Sequence, residues 1–120
     1  MKICGITAEY NPFHKGHAYQ IEKARQAGAT HILAVMSGNF VQRGVPAMLD
    51  KWVRVRAALS DGADLVVELP LPFATASAET FAYGALSLMQ ATGCVDMVSF
   101  GAEDEQAQLQ KVLSVLLSPE

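Results

Sequence analysis

Residues 3–17, which read ICGITAEYNPFHKGH, decide the fold. The first part is a mostly apolar run with a polar end, which predicts a buried β-strand over Ile3–Glu9. Pro12 has no N–H to donate to a strand ladder, so the strand stops before it. His17 begins a run of good helix formers that reaches Ala27 and is closed by Gly28. A strand, a polar turn and a helix therefore follow one another directly.

The same succession continues along the chain. Apolar runs predict three more strands, over His31–Met36, Leu65–Leu69 and Val95–Phe100. Asp50 is a suitable N-cap for a helix that runs to Ser60, and Thr75 or Ser77 can begin the next helix. A fourth helix is predicted by apolar residues at helical spacing: Leu109, Val112, Leu113, Leu116 and Leu117.

Four strand-then-helix units predict an α/β fold in one domain, residues 1–120. Continuous apolar strands are typical of a doubly wound, Rossmann-like parallel sheet with three α/β/α layers. In such sheets the ligand binds outside the carboxyl ends of the strands, where the strand order reverses. This rule selects four polar segments: residues 9–17, 37–44, 68–73 and 101–104.

The first of these segments carries the strongest chemistry. His14 and His17 are three residues apart at a helix start, so they lie on one face. Gly16 between them has no side chain and lets a ligand approach the backbone. Free N–H groups and the helix dipole favour phosphate there, and imidazole donors can stabilise charge that develops on a phosphate. Lys15 can add a cation or be simply exposed.

Other interpretations of the histidines stay open. Two histidines at this spacing could bind a metal, but no third ligand lies nearby in sequence, and we expect no metal site. They could also be ordinary surface residues, although their place at a strand end makes that less favoured. His31 begins a strand without a partner, and we expect it to be structural.

His14-Lys-Gly-His17 resembles the H-x-G-H signature of the nucleotidyltransferase superfamily. Longer strings resemble the bacterial tRNA(Met) cytidine acetate ligase family over nearly the whole chain. They are residues 9–17, EYNPFHKGH; residues 35–47, VMSGNFVQRGVPA; residues 64–70, DLVVELP; and residues 100–103, FGAE. The resemblance is to the N-terminal part of that family.

The resemblance implies an ATP site, with His14 and His17 as the catalytic residues. It also implies that further ATP contacts lie beyond position 120. The implied ATP-binding residues are Thr7, Ala8, Glu9, Tyr10, Asn11, Pro12, Phe13, His14, Lys15, Gly16, His17, Ala18, Tyr19, Gln20 and Gly101.

The implied activity is a ligase reaction that consumes ATP. Acetate is activated as acetyl-adenylate, and the acetyl group passes to N4 of the wobble cytidine of elongator tRNA(Met). ATP with Mg²⁺ is the expected cofactor, acetate and the tRNA are the substrates, and most tRNA contacts are expected from a C-terminal region. We expect the 120-residue chain alone to be inactive. Alternatives are a small-molecule nucleotidyltransferase or a truncated, non-catalytic nucleotide-binding fragment.

Three residues after the second strand are further candidates. Ser37 and Asn39 could contact a phosphate or a small acid, and an ordinary strand-to-helix turn explains them equally well. Arg43 lies in a loop beside the expected site and could pair with a phosphate or carboxylate.

The second helix carries Lys51, Arg54 and Arg56. A solvated helix face is the favoured interpretation of these three residues, with tRNA backbone contact as the alternative. Trp52 is expected in the core, with Val55 and Leu59 on its face, and not as a stacking platform for bases. Glu68 and Glu79 could each be a cap, a surface charge or a substrate contact.

Charge and cysteine content exclude some classes. The net charge of −3 argues against a free-standing nucleic-acid-binding domain, which is usually basic. Cys4 and Cys94 lie in apolar runs that resemble strands, and we expect both to be small core residues in a reducing cytoplasm. No apolar run approaches the roughly 20 residues that span a bilayer, so no membrane partner is expected.

Overall fold

A computed structural model describes residues 1–99, in which four strands form one parallel sheet. The strands are β1 (Ile3–Ala8), β2 (His31–Ser37), β3 (Leu65–Leu69) and β4 (Met97–Ser99). They lie in the order β3-β2-β1-β4, and each neighbouring pair is parallel. The predicted α/β class with a parallel sheet is confirmed.

Four α-helices connect these strands within the described residues. They are α1 (Lys15–Gln26), α2 (Lys51–Ser60), α3 (Leu71–Ala74) and α4 (Ala78–Thr92), and a 3-10 turn covers Gln42–Gly44. The sequence did not predict α3. Pro70 precedes this short helix and Pro72 lies in its first turn, where a missing N–H costs nothing. Of the two expected caps of α4, Ser77 is the one used.

The helices cover both faces of the sheet. On one face, Ile21 of α1 and Ala58 of α2 pack with Ile6 and Ile32 of the strands. On the other face, α4 packs against Val35 and its neighbours. Gly5 allows this approach, because a Cβ at that position would lie 2.5 Å from Met89 Sδ. The expected three-layer arrangement is confirmed.

The strand order places residues 9–17 at the point where it reverses. The chain runs from β1 to β2 and β3 on one side, and β4 returns to the other side of β1. A ligand crevice is therefore expected at the carboxyl ends of β1 and β4. The predictions for Phe100, Gly101, segment 101–104 and the fourth helix fall outside the described residues.

Some sequence predictions are wrong in detail. Helix α1 begins at Lys15 and not at His17, because His14 is already its N-cap. Cys4 is buried as expected, but Cys94 is exposed, since it lies in the loop before β4 and not in the strand. A structural role for His31 stays a prediction; the residue is exposed, and its Nδ1 lies 2.9 Å from Thr30 Oγ1. Within residues 1–99, none of the helices has the length and apolar character needed to cross a bilayer.

The amino edge of the sheet is held by Asp64 and Arg25. The Asp64 carboxylate accepts from the Ile32 N–H at 2.7 Å and from the Arg25 guanidinium at 2.9 Å. Arg25 also donates to the carbonyls of Thr30 and Gly62. Burial raises the pKa of Asp64, but the hydrogen bonds from Ile32 and Arg25 outweigh it and hold the pKa below its ordinary value.

We expect Asp64→Asn to lower the free energy of unfolding by about 1 kcal/mol at neutral pH, since a charged acceptor is lost at a partly screened site. The folded-state pKa of Asp64 is depressed, so its contribution is complete above the unfolded pKa and is lost as pH falls through the folded pKa. Urea unfolding followed by circular dichroism measures the difference in free energy of unfolding between the wild type and Asp64→Asn. This difference should be constant above about pH 5 and smaller below about pH 4. A difference that does not change with pH would contradict this assignment.

Candidate functional site

The turn between β1 and α1 is built around Tyr10. This residue is buried, and its backbone has a φ of 51°, in the left-handed region. Its ring packs edge-on against Phe13 and against His17, with centroids 4.8 Å apart in each case. Burial raises the pKa of Tyr10 to about 12, so its hydroxyl stays protonated. The packed ring fixes where α1 begins, and Asn11–Pro12, a cis peptide, leads the chain into that start.

The two histidines form the N-terminal cap of α1. His14 Nδ1 accepts from the Gly16 N–H at 3.0 Å, and His17 Nδ1 accepts from the His14 N–H at 3.1 Å. This is a capping box in which imidazoles replace the usual hydroxyl and carboxylate. The expectation of free N–H groups at the helix start is therefore wrong for His14 and Gly16, whose amides are bonded by the rings.

This cap determines the tautomer of both rings. An Nδ1 that accepts a hydrogen bond carries no proton, so the neutral ring of His14 or His17 carries its proton on Nε2. The rings are stacked, with centroids 3.8 Å apart and planes 22° apart. Gly16 leaves room for this stack, because a Cβ there would lie 2.9 Å from His14 Cε1. The arrangement presents two neighbouring Nε2–H donors.

The surroundings of His17 favour its neutral form. Burial lowers its pKa below the ordinary value, and the neighbouring His14 lowers the pKa further. Neutral imidazole keeps Nδ1 free to accept from the backbone and Nε2–H free to donate. Nε2–H of His17 can therefore donate a hydrogen bond to an anion such as a phosphate.

A second loop, residues 38–50, is hydrogen-bonded to this turn. The Glu9 carboxylate accepts from the Gln42 N–H at 2.9 Å, and Asn11 Oδ1 accepts from the Met48 N–H at 2.7 Å. Two side chains of the first segment thus bond backbone amides of the second. The loops after β1 and β2 form one unit at the carboxyl edge of the sheet.

The three candidates after β2 have different surroundings. Ser37 is fully buried, and within residues 1–99 its hydroxyl has no hydrogen-bond partner. The side-chain oxygen of Asn39 accepts from the Lys51 N–H at 3.1 Å, so it serves the start of α2. Arg43 is exposed with a φ of 68°, and its N–H donates to the Thr75 carbonyl. A substrate role for each stays a prediction.

Arg54 is not part of a solvated face, and that expectation is wrong. Its exposed fraction is 0%. The guanidinium donates to the Glu9 carbonyl at 2.6 Å and the Ser37 carbonyl at 3.2 Å, and also to the Gly38 carbonyl; Nε donates to the Leu49 carbonyl at 3.1 Å. Sequence reasoning missed this role. Arg54 shares a helix face with Ala58, but only the structure shows that this face is buried.

The outer face of α2 is also different from the prediction. Trp52 is 62% exposed and Leu59 is exposed, so neither is a core residue, because the inward positions are taken by Arg54 and Ala58. Lys51 pairs with Glu68 at 2.9 Å, and its Nζ lies 5.5 Å from the centroid of the Trp52 ring. Arg56 is exposed, as is Glu79 in the first turn of α4.

The remaining expected ATP residues of the described chain flank the histidines. Thr7 and Ala8 end β1, while Ala18, Tyr19 and Gln20 lie in α1. Gln20 Nε2 donates to the Ser99 carbonyl at 3.3 Å, which ties α1 to the carboxyl end of β4. Among residues 1–99 no three His, Cys, Asp or Glu side chains cluster as a metal site would require.

Comparisons with known proteins find relatives of one kind. A tRNA(Met) cytidine acetate ligase of Syntrophomonas wolfei is 53% identical over 118 residues, which cover 97% of this chain and 28% of the relative. The ligase of Halothermothrix orenii is 47% identical over 121 residues, covering 100% of this chain and 29% of the relative. The chain thus spans less than a third of the length of these curated relatives.

A solved structure and a family model extend the comparison. The crystal structure of Thermotoga maritima TmcAL bound with alpha-thio ATP has a TM-score of 0.78 and 50% sequence identity, covering 82% of this chain and 24% of that chain. A family model described as HIGH Nucleotidyl Transferase matches residues 1–120. The chain therefore belongs to the HIGH nucleotidyl transferase family.

Proposed function

We propose that this chain binds ATP at the start of α1, with the phosphates against the Nε2–H donors of His14 and His17. As part of a longer enzyme, it activates acetate as acetyl-adenylate and supplies the acetyl group for N4 of the wobble cytidine of elongator tRNA(Met). The observation that carries the proposal is the stacked pair of histidines, with Nδ1 of each bonded to the backbone, at the point where the strand order reverses. The ligase names of relatives that match nearly the whole chain support the choice of reaction.

The formation of acetyl-adenylate requires no general base from the protein. Acetate is ionised at pH 7, so a carboxylate oxygen can attack the α-phosphorus without a general base. That P–O bond forms as the bond to the bridging oxygen breaks, and pyrophosphate leaves with the electron pair. His14 and His17 would donate to the phosphate oxygens on which charge builds, and one such donor is typically worth about 3–4 kcal/mol in the transition state.

Mg²⁺ and the tRNA are assigned by their chemistry. Because the described residues offer no cluster of metal ligands, Mg²⁺ would arrive on the triphosphate, held by its oxygens and water. The chain has a net charge of −3, so most Lys and Arg contacts to tRNA phosphates would come from the larger part of the enzyme. We place the reaction in the cytoplasm.

We expect ATP to bind in preference to CTP and GTP. Titrations can use the 120-residue chain and a chimera in which this chain replaces the matching segment of the Syntrophomonas wolfei ligase. Binding to the chain alone should be weak, because the resemblance implies further ATP contacts beyond residue 120. Equal affinity of the chimera for the three nucleotides, or no binding of ATP, would refute the assignment.

The tautomers can be read directly by NMR. At about pH 7.5, long-range ¹H–¹⁵N spectra should show Nδ1 unprotonated and Nε2 protonated for His14 and His17, because both Nδ1 atoms accept from the backbone. ATP should shift the Nε2 signals of these two rings. His31 is the internal control, since it begins β2 at the opposite edge and its signals should stay in place. A protonated Nδ1 on either capping ring would rule out the donor arrangement.

Replacing either capping histidine should slow catalysis. In the chimera, His17→Ala should lower acetate-dependent release of pyrophosphate by about 10²-fold or more, the effect of losing one transition-state donor, and His14→Ala should act similarly. Each change also removes a cap bond, which costs about 1 kcal/mol of stability.

His31→Ala is the matched control for these two variants and should keep the parent rate. Circular dichroism should show that all three variants are folded at the assay temperature. Folded His14 and His17 variants that retain the parent rate would show that the rings do not act on the phosphate.

A further inference from the structure

We propose that Arg54 is the positioning residue of the nucleotide site. Arg54 binds backbone carbonyls at the carboxyl ends of β1 and β2. These contacts fix two loops, the one that carries the histidines and the one of residues 38–50, in the geometry that ATP needs. The identity of the ligand rests on the proposed function, while the fixing of the two loops rests on the geometry alone.

The contacts of Arg54 come from one helix and reach two strands. From α2, its guanidinium donates to the carbonyl of Glu9 just after β1 and to the carbonyls of Ser37 and Gly38 at the end of β2. Its Nε donates to the Leu49 carbonyl at 3.1 Å. With an exposed fraction of 0%, the guanidinium has no water to replace any of these partners. Loss of the guanidinium would leave these acceptors without their donor.

Glu9 transmits this constraint to the histidines. The Glu9 carbonyl belongs to the peptide unit that links Glu9 to Tyr10. Tyr10 has a φ of 51° and packs its ring against His17. A shift of Glu9 would therefore move Tyr10 and the cap of α1. Glu9 also accepts from the Gln42 N–H through its carboxylate, so the same shift would disturb the second loop.

The shape of the guanidinium matters here as much as its charge. Its planar fork can serve acceptors at fixed angles, while a lysine ammonium is a compact point charge on a flexible stem. Arg54→Lys keeps the positive charge and removes the fork. If the site needs only a buried cation, Arg54→Lys will keep the loop geometry and the ATP affinity. If the carboxyl ends of β1 and β2 must be held by a planar fork, Arg54→Lys will lose both.

Arg25 offers a matched control at the opposite edge of the sheet. It also donates to two backbone carbonyls, those of Thr30 and Gly62, and pairs with Asp64. Arg25→Lys removes a guanidinium that ties segments together, far from the histidines. Because Arg25 is partly exposed and Arg54 is buried, the place of the change along the chain, and not its size alone, distinguishes loss of site geometry from a general loss of stability.

Amide hydrogen exchange on the 120-residue chain tests the fixing of the loops. In Arg54→Lys, amides that are bonded within residues 9–17 and 38–50 should exchange about tenfold faster or more, because local opening no longer breaks the guanidinium contacts. In Arg25→Lys the increase should fall on residues 28–32 and 60–64. Faster exchange spread evenly over the chain in Arg54→Lys, or none in its two loops, would overturn the proposal.

Nucleotide affinity tests the consequence for the site. By ligand-observed NMR, Arg54→Lys should bind ATP about tenfold more weakly than the wild type, since small misplacements of binding groups are costly. Arg25→Lys should stay within about twofold. Equal weakening in both variants, or none in Arg54→Lys, would show that Arg54 does not position the site. Absence of ATP binding by the wild-type chain would refute the proposed function, and the exchange pattern would still decide whether Arg54 fixes the loops.

A measurement on the unmodified protein covers the case in which Arg54→Lys does not fold. The Arg54 Nε–H signal should be protected from exchange with water and should shift when ATP is added, while the Arg25 signal should not shift. A rapidly exchanging Arg54 signal would contradict the contacts on which the proposal rests.

Discussion

The buried guanidinium of Arg54 is the constraint on which the carboxyl edge of the sheet depends. Taking a charge out of water is costly unless hydrogen bonds replace its hydration. Here the acceptors are backbone carbonyls, of which those of Glu9 and Gly38 lie just beyond their strands, where the sheet ladder has ended. Such carbonyls need donors as much as the guanidinium needs acceptors. The hydrogen bonds between Arg54 and these carbonyls therefore set the position of α2 relative to the carboxyl ends of β1 and β2.

The capping histidines combine folding and binding in different atoms of the same rings. Nδ1 of each ring accepts a backbone N–H, which orients the imidazole and leaves Nε2–H as the remaining donor. Stacking restricts both rings further, and the Tyr10 ring packs against that of His17. Donors held in place before a ligand arrives lose little freedom on binding, which is the physical basis of preorganised charge stabilisation.

The strands and the position of the histidines could be predicted because both follow from local or general rules. Continuous apolar runs mark buried parallel strands, and the carboxyl ends of such strands share one edge. The inward face of α2 could not be predicted in this way. Hydrophobicity favours Trp52 over Arg54, yet the acceptors of Arg54 include Glu9, 45 positions away along the chain. The spacing of residues in a helix gives no information about carbonyls so far away along the chain. These carbonyls come close to Arg54 only when the sheet is assembled. The ring-to-backbone bonds of the cap were hidden for the same reason, since spacing gives the face of a histidine and not the partner of its Nδ1.

Arg25 and Arg54, which lie at opposite edges of the sheet, also differ in how their charge is compensated. Arg25 pairs directly with the Asp64 carboxylate, which compensates its charge by contact. The carboxylates that act on Arg54 are those of Glu9, Asp50 and Glu68, and they oppose the lowering of its pKa by burial. Each is engaged elsewhere, with the Gln42 N–H, the Trp52 N–H and the Lys51 ammonium. Among residues 1–99, backbone carbonyls are thus the hydrogen-bond acceptors of the guanidinium. The carboxylates of Glu9 and Glu68 already lie at this edge, so the positive charge of Arg54 offsets part of their repulsion toward the anionic ligand that we propose.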